Sequence, residues 1–386
     1  MTIGSLFVDT FGRSATGMFS APGRVNLIGE HTDYNNGLVL PFAIDARARV
    51  AIAPADHGQL RMVSAQQPGD PVAYDLGDRT PGRVTGWAGY VAGAAWALTD
   101  RGYSLDLLSG VDLALDSQVP IGAGLSSSAA MECAAALALA TLAGHRLEPA
   151  VLARVAQHDE NDYVGVPCGL MDQMASAAGR AGSVLAFDVG RDTIANIPFD
   201  PAAANLAVLL IDTRAHHSLA DGEYADRRRA CEQAAAELGL ASLRELDGVA
   251  DLNATLAGLS SDELRRRVRH VVTENERVVR VMAALRAGRP ETIGPDLLAS
   301  HESLRADFQV SSPELDVAVE AAMGAGALGA RMTGGGFGGS VIALVAAERV
   351  AGVSAAAADA FAARKWTTPE FREVTPADGA RADRLD

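Results

Sequence analysis

The segment from Val119 to Met131, Val-Pro-Ile-Gly-Ala-Gly-Leu-Ser-Ser-Ser-Ala-Ala-Met, stands between two runs of different periodicity. Ahead of it, Gly110–Ser117 alternates Val111, Leu113 and Leu115 against Asp112, Ala114 and Asp116. That period of two predicts a strand with one buried face and one wet face. Behind it, an Ala/Leu-rich run reaches about Leu142 and closes at Gly144, which predicts a helix. A strand, a glycine turn and a helix start in that order leave bare amides pointing out of the turn. Gly122 and Gly124 let the backbone turn tightly and approach a ligand, and Ser126, Ser127 and Ser128 add hydroxyls at the helix start. Such a terminus favours an anion by about 0.3–1 kcal/mol per charge at an exposed site, so the loop reads as a phosphate cradle. One serine suffices to cap a helix; three point beyond capping.

What the cradle lacks narrows its chemistry. A Walker loop needs a lysine after its last glycine and a protein-kinase fold needs a strand lysine, yet Lys365 is the only lysine in the chain. A dinucleotide fingerprint fits poorly, because Gly122-x-Gly124-x-x-Ser127 has no third glycine and Glu148 sits in a turn, not at a strand end. Loop amides together with Mg²⁺ remain, and Mg²⁺ takes oxygen ligands from hydroxyls and carboxylates. Ser128 and Glu160 are of the right type, although Glu160 by its type alone reads as an exposed helix residue.

The rest of the chain reads as a mixture of helices and strands. Asp45–Ala53, Leu60–Ser64, Ser183–Asp188 and Leu206–Asp212 read as strands, the last an unbroken apolar run buried on both faces. Helices are predicted over 86–98, 149–163 and from Cys168 onward, then over 223–238, 262–287, 297–308 and 314–323. Pro198-Phe-Asp-Pro201 is the best candidate hinge, dividing the chain into 1–200 and 201–386. A second glycine cluster, Gly334–Gly339, reads as a loop packed under the phosphate loop with Phe337 as a plug.

Lys+Arg of 33 against Asp+Glu of 48 leaves a net charge of −15, which disfavours nucleic acid and anionic membranes as partners. The clusters Arg227–Arg229 and Arg265–Arg267 are interleaved with acids and read as solvated helix faces. Cys133, Cys168 and Cys231 show no CxxC spacing, no basic-then-apolar leader follows Met1, and Cys133–Gly144 is too short to span a bilayer. The expected place of action is the cytoplasm.

Gly23-Arg-Val-Asn-Leu-Ile-Gly-Glu-His-Thr-Asp-Tyr34 resembles the galactokinase signature. Pro120–Ala129 and Met332–Gly339 resemble the second and third motifs of the GHMP small-molecule kinases. Cys168-Gly-Leu-Met-Asp-Gln173, His217-Ser-Leu219 through Arg229, and Ser312–Asp316 extend the likeness in the same order along nearly the whole chain. The resemblance implies an α+β fold: an N-terminal ribosomal-protein-S5-domain-2-like α/β domain, a C-terminal ferredoxin-like α+β domain, and an active site in the cleft between them. It implies ATP-dependent phosphorylation of the anomeric hydroxyl of α-D-galactose by a monomer. By match to the family, Glu30, His31, Thr32 and Asp33 hold the sugar, Gly169 lines its pocket and Tyr224 closes it. Asp172 is the base and Arg24 its electrostatic partner. Gly122, Ala123, Gly124, Leu125, Ser126, Ser127 and Ser128 hold the nucleotide, Ser128 with Glu160 holds Mg²⁺, and Ser64 aligns with a nucleotide contact.

These roles are chemically reasonable. Carboxylates accept from several sugar hydroxyls, and phosphoryl transfer needs mainly positioning and charge neutralisation. Two readings stay open beside it: a kinase of N-acetylgalactosamine or arabinose, and a non-catalytic galactose-sensing regulator. Arg24, Asp172, Glu160 and the serine loop are all present, so nothing in the sequence indicates lost catalysis.

Overall fold

The computed structural model describes residues 2–216 and 220–385, so His217-Ser-Leu219 lies outside the described residues. The chain starts with α1 (Ile3–Phe11), β1 (Gly17–Asn26), β2 (Leu38–Val39), β3 (Pro41–Pro54), β4 (Gln59–Ser64), β5 (Val72–Asp75), α2 (Trp87–Asp100) and β6 (Val111–Ser117). The phosphate loop then leads into α3 (Ser127–Leu142), followed by α4 (Pro149–His158), α5 (Met171–Ala178), β7 (Ser183–Asp188) and β8 (Thr193–Pro198). A six-stranded sheet in the order β13-β1-β3-β6-β4-β5 forms the frame of this half, β13 (Arg381–Asp383) being the last strand of the chain. A smaller sheet, β2-β7-β8, lies beside it.

Helix α3 is the centre of this half, packed on β1 and β3. Its alanines Ala130, Ala134, Ala135 and Ala138 are fully buried, and small side chains let helix and sheet approach closely. The run read as a helix to residue 163 is α-helical only to His158; Asp159–Val164 continues as a π turn before Gly165 ends it.

Strand β6 departs from the expected pattern of one wet face. Val111, Leu113 and Leu115 enter the main core as predicted, but Ala114 on the other face is covered by Phe7 of α1. Asp112 is 1% exposed and is held by Arg13 Nη2 at 2.7 Å, His57 Nε2 at 3.0 Å and Arg61 Nε at 2.8 Å. Burial opposes the Asp112 charge, yet these three donors outweigh it and keep the carboxyl below its ordinary range. The acid that signalled solvent is a buried ion with partners drawn from three separate segments.

The second half begins with β9 (Leu206–His216), then α6 (Ala220–Glu237), α7 (Leu252–Ala257), α8 (Asp262–Arg286), α9 (Gly294–Ser303) and α10 (Pro313–Gly324). It ends with β10 (Gly329–Thr333), β11 (Gly338–Ala346), α11 (Val350–Ala363) and β12 (Glu370–Val374). Its sheet has the order β10-β11-β9-β12, all antiparallel. With helices between β9 and β10 and between β11 and β12, this is the ferredoxin-like arrangement. Strand β9 is covered on both faces as expected: Leu206, Val208 and Leu210 face the core shared with the first half, while Ala207, Leu209 and Ile211 face the helices.

The arginine clusters are not simply solvated. Arg267 is 1% exposed and bonds the Asp307 carbonyl at 2.5 Å and Glu263 at 2.9 Å. Arg227 reaches the carbonyls of Phe308 and Gln309, each at 2.9 Å. Both arginines secure a turn that sequence spacing does not associate with them.

One close approach joins β1 to the phosphate loop. A methyl on Gly23 would lie 2.6 Å from the Leu125 carbonyl oxygen and 2.8 Å from Val119, while the next amide, Arg24 N–H, donates to that same oxygen at 3.0 Å. Gly23→Ala is therefore expected to destabilise the protein by about 1–3 kcal/mol by overpacking, read as a lowered thermal midpoint.

Candidate active site

Strand β1 carries a register irregularity between Pro22 and Arg24 where it pairs with β3. Beyond it Arg24 is buried, and its guanidinium is used on every side. Nε and Nη2 each donate to Asp172 at 2.8 Å, and Nη1 donates to the Gly124 carbonyl at 2.6 Å. Burial disfavours the Arg24 charge, but Asp172, with help from Glu30 and Asp33, holds its pKa above the ordinary guanidinium value. Asp172 sits in the first turn of α5, where the helix dipole favours an anion. Its side chain is 27% exposed, toward a cavity of about 730 Å³.

Ser126 behaves differently from a phosphate-loop serine. It adopts a left-handed backbone, φ 58°, caps no amide of α3 with its side chain, and donates its hydroxyl to Asp172 Oδ2. The loop is thus tied to the acid through both Gly124 and Ser126. Gly122, Gly124, Leu125, Ser127 and Ser128 line the cavity beside it. Ala123 does not line it; its carbonyl accepts from Ser340 Oγ at 2.7 Å, which anchors the loop to β11. The second glycine cluster packs against the first as expected, with Gly334 close to Gly124. Gly334, Gly335, Gly336 and Phe337 also line the cavity directly.

At the other end, Glu30, His31 and Asp33 converge. Glu30 Oε1 accepts from the Gly334 amide at 2.8 Å and lies 3.5 Å from Arg331; burial nevertheless raises its pKa against the pull of Arg331 and Arg24. His31 Nε2 faces the Gly335 carbonyl at 3.1 Å and Nδ1 faces Tyr34 Oη at 2.8 Å. A carbonyl only accepts, so Nε2 carries the proton and Nδ1 accepts from the tyrosine. Burial, reinforced by His270, lowers the His31 pKa to about 3, so the ring is neutral and orients the wall without moving protons. The Tyr224 ring lies tilted 5.4 Å from His31 and meets Tyr34 edge-on at 5.6 Å, and burial keeps its hydroxyl protonated.

Asp33 is 7% exposed, and burial raises its pKa to about 6, with nearby Asp172 acting in the same sense. A methyl on Gly169 would sit 1.6 Å from Asp33 Oδ2. Only glycine leaves room for that carboxylate. Thr32 does not line the cavity; its hydroxyl lies 2.9 Å from the Gly29 carbonyl and 2.7 Å from that of Leu38, closing the loop upon itself. Ser64 does not line it either; its Oγ accepts from the Gln66 amide at 3.2 Å. Trp87, Tyr90 and Gln67, which no motif indicated, line it instead together with Ile121 of the phosphate loop.

Glu160 lies just behind the cavity wall. Its Oε2 accepts from Gln173 Nε2 at 2.6 Å and from Cys168 Sγ at 3.4 Å, and its carboxylate bonds Ser128. Burial raises its pKa to about 7. Oxygen donors from a serine and a carboxylate that only a nearby cation would keep fully ionised fit Mg²⁺. Among the described residues no three His, Cys, Asp or Glu side chains are placed to hold a metal together, so an ion beside Ser128 would complete its shell with nucleotide oxygens and water.

Three family models match the chain. Residues 5–54 match the galactokinase galactose-binding signature, 89–180 the GHMP kinases N terminal domain and 281–363 the GHMP kinases C terminal. A galactokinase of Streptomyces coelicolor is 49% identical over 381 residues, covering 98% of this chain and 97% of that protein. The chain belongs to the galactokinase family. A galactokinase of Mycobacterium tuberculosis is 45% identical over 94% of this chain and 98% of its own length. The crystal structure of Lactococcus lactis galactokinase complexed with galactose superposes with a TM-score of 0.93 at 30% identity, covering 98% of each chain. A mevalonate kinase of Methanococcus jannaschii, 16% identical with a TM-score of 0.65 over 95% of this chain and 99% of its own, shares the fold.

Two outcomes follow from the Asp33 pocket of this galactokinase-family chain. Gly169→Ala displaces the Asp33 carboxylate, and the KM for sugar is expected to rise about tenfold or more with the KM for nucleotide little changed. The second concerns pH. A carboxyl whose folded pKa is raised from 3.8 to about 6 contributes stability that is full below about 4 and lost as pH rises through about 6. Asp33→Asn should therefore gain stability relative to the wild type across that window, as measured by denaturant unfolding at pH 4, 5, 6 and 7.

Proposed function

We propose that this chain transfers the γ-phosphoryl group of ATP to the anomeric hydroxyl of α-D-galactose, giving α-D-galactose 1-phosphate and ADP. The observation that carries the reading is that one arginine, Arg24, joins the phosphate loop at Gly124 to the acid Asp172, with Glu30 and Asp33 in the same cavity. Cradle, charge and hydroxyl-accepting carboxylates are thereby within reach of a single phosphoryl group.

The residues divide the work by position. Glu30 and Asp33 accept from sugar hydroxyls, and buried polar recognition rejects an analogue lacking a hydroxyl by far more than apolar packing does. Gly122–Ser128 presents amides to the phosphates, and the positive Arg24 faces the charge that develops on the transferring group. Asp172 orients the anomeric hydroxyl and accepts its proton as the phosphoryl is transferred. Trp87, Tyr90 and Ile121 supply an apolar wall suited to a purine. Ser128 and Glu160 would hold Mg²⁺, which would supply charge neutralisation at the phosphates.

The cofactor set is ATP with Mg²⁺, and the partners are a sugar and a nucleotide, bound by a monomer whose halves divide at Pro198–Pro201 except that Arg381–Asp383 returns to the first sheet. Cys133, Cys168 and Cys231 are all free thiols, in keeping with action in a reducing cytoplasm. No helix among the described residues is long and apolar enough to cross a membrane.

An assay coupled to ADP release tests the reading across galactose, glucose, N-acetylgalactosamine and arabinose, with galactose expected to give the highest kcat/KM. Faster turnover of another sugar assigns the chain to that substrate, and binding without turnover makes it a sensor. Asp172→Asn is expected to lower kcat by about 10²–10⁴ while the protein stays folded. Near-full turnover in that variant would remove Asp172 from its role.

A further inference from the structure

Helix α8 belongs to no motif, yet it contacts the backbone between Gly29 and Leu38 at three points. His270 Nε2 lies 3.1 Å from the Glu30 carbonyl oxygen, Glu274 Oε1 accepts from the Gly29 amide at 2.9 Å, and Asn275 Oδ1 accepts from the Leu38 amide at 2.9 Å. His270, Glu274 and Asn275 are each 1% exposed or less. Positions 270 and 274 are one helical turn apart, so their side chains share a face.

Each contact is itself held in place. His270 Nε2 faces a carbonyl and so carries a proton, burial lowers the ring's pKa to about 4 and keeps it neutral, Nδ1 meets Ser303 Oγ at 2.9 Å, and the ring lies tilted against Phe308 with centroids 4.6 Å apart. Glu274 Oε1 also accepts from Ser300 Oγ at 2.7 Å, and Oε2 accepts from Arg277 Nε at 2.7 Å. Asn275 Nδ2 donates to Asp247 at 2.9 Å. A contact serving only to bury surface between two halves would be apolar, as the neighbouring Val278 and Val281 are. A satisfied polar contact is directional and specifies where the backbone atoms stand.

The Ile28–Gly29 and Glu30–His31 peptide units, which bracket the Gly29–Glu30 unit between them, are therefore clamped from one helix through the Gly29 amide and the Glu30 carbonyl, while the Glu30 carboxylate is held by Gly334 on the far side. We propose that α8, through His270, Glu274 and Asn275, is the positioning element that fixes the Gly29–Leu38 loop and so sets which sugar hydroxyls Glu30 and Asp33 meet. None of the three touches substrate. The proposal deepens the galactose reading and rests on it.

The test compares His270→Leu, which fills the site without a donor, with His270→Gln, whose amide donates to the Glu30 carbonyl. For each, kcat and KM are measured for galactose and for ATP, together with the ratio of kcat/KM for galactose over its 4-epimer glucose and the thermal midpoint. In His270→Leu, kcat/KM for galactose is expected to fall about 10- to 100-fold, mainly through KM, with the ATP KM within about twofold and epimer discrimination reduced. His270→Gln restores most of it. Should His270→Leu not fold, Ser303→Ala, which frees the ring's other nitrogen, is expected to show the same split more weakly. Galactose and ATP constants moving together, an unchanged galactose KM, or a glutamine variant no better than leucine would overturn the proposal. A wild type inactive on galactose defeats the functional reading, whereas an active wild type with insensitive variants defeats only this one.

Discussion

The bidentate pair between Arg24 and Asp172 is the contact on which the site depends. It spans 148 positions of sequence and joins the end of a sheet strand to the start of a helix. Because Arg24 Nη1 also holds the Gly124 carbonyl and Ser126 also holds Asp172, the phosphate loop cannot shift without disturbing the acid. A buried guanidinium with an unpaired side is costly, so each partner is a condition for the others. Loop, guanidinium and acid are in this way one hydrogen-bonded unit, and fixed positioning is what phosphoryl transfer asks of a protein.

The sugar end is assembled across the two halves of the chain. Glu30 is contributed by the first half, yet its carboxylate is held by Gly334 and its backbone by His270. Gly334 in turn packs on Gly124 of the phosphate loop. The two glycine clusters and the signature loop are therefore neighbours in one wall, and the cavity exists only when both halves are folded together. The continuous core beneath, which takes Val208 and Leu210 of β9 into the packing of the first half, keeps them so.

Asp112 and Arg267 misled for one reason: a polar residue was taken to face water when it faced a partner distant in sequence. Asp112 alternates with apolar neighbours as a surface acid would, but Arg13, His57 and Arg61 meet it beneath α1. Arg267 sits in a run of arginines and acids, but the Asp307 carbonyl lies next to it. Thr32 and Ser126 form a separate case: the Thr32 hydroxyl bonds carbonyls of its own loop, and the Ser126 hydroxyl bonds Asp172 at the cavity wall. Local periodicity reports whether a face is covered only when the covering element is near in sequence.

The amino-acid sequence alone determined the strand, glycine turn and helix of the phosphate loop, the exclusion of lysine-dependent phosphate chemistry, and the family through its signature from Gly23 to Tyr34. Those are local properties: backbone freedom, periodicity and the presence or absence of one residue type. Only the tertiary structure decided that both faces of β6 are covered, which serine holds Asp172, that Trp87 and Tyr90 line the cavity with the phosphate loop, and that α8 bonds the backbone between Gly29 and Leu38. Each of these depends on side chains meeting across long separations, and burial and hydrogen-bond geometry come into being only when the whole chain has packed.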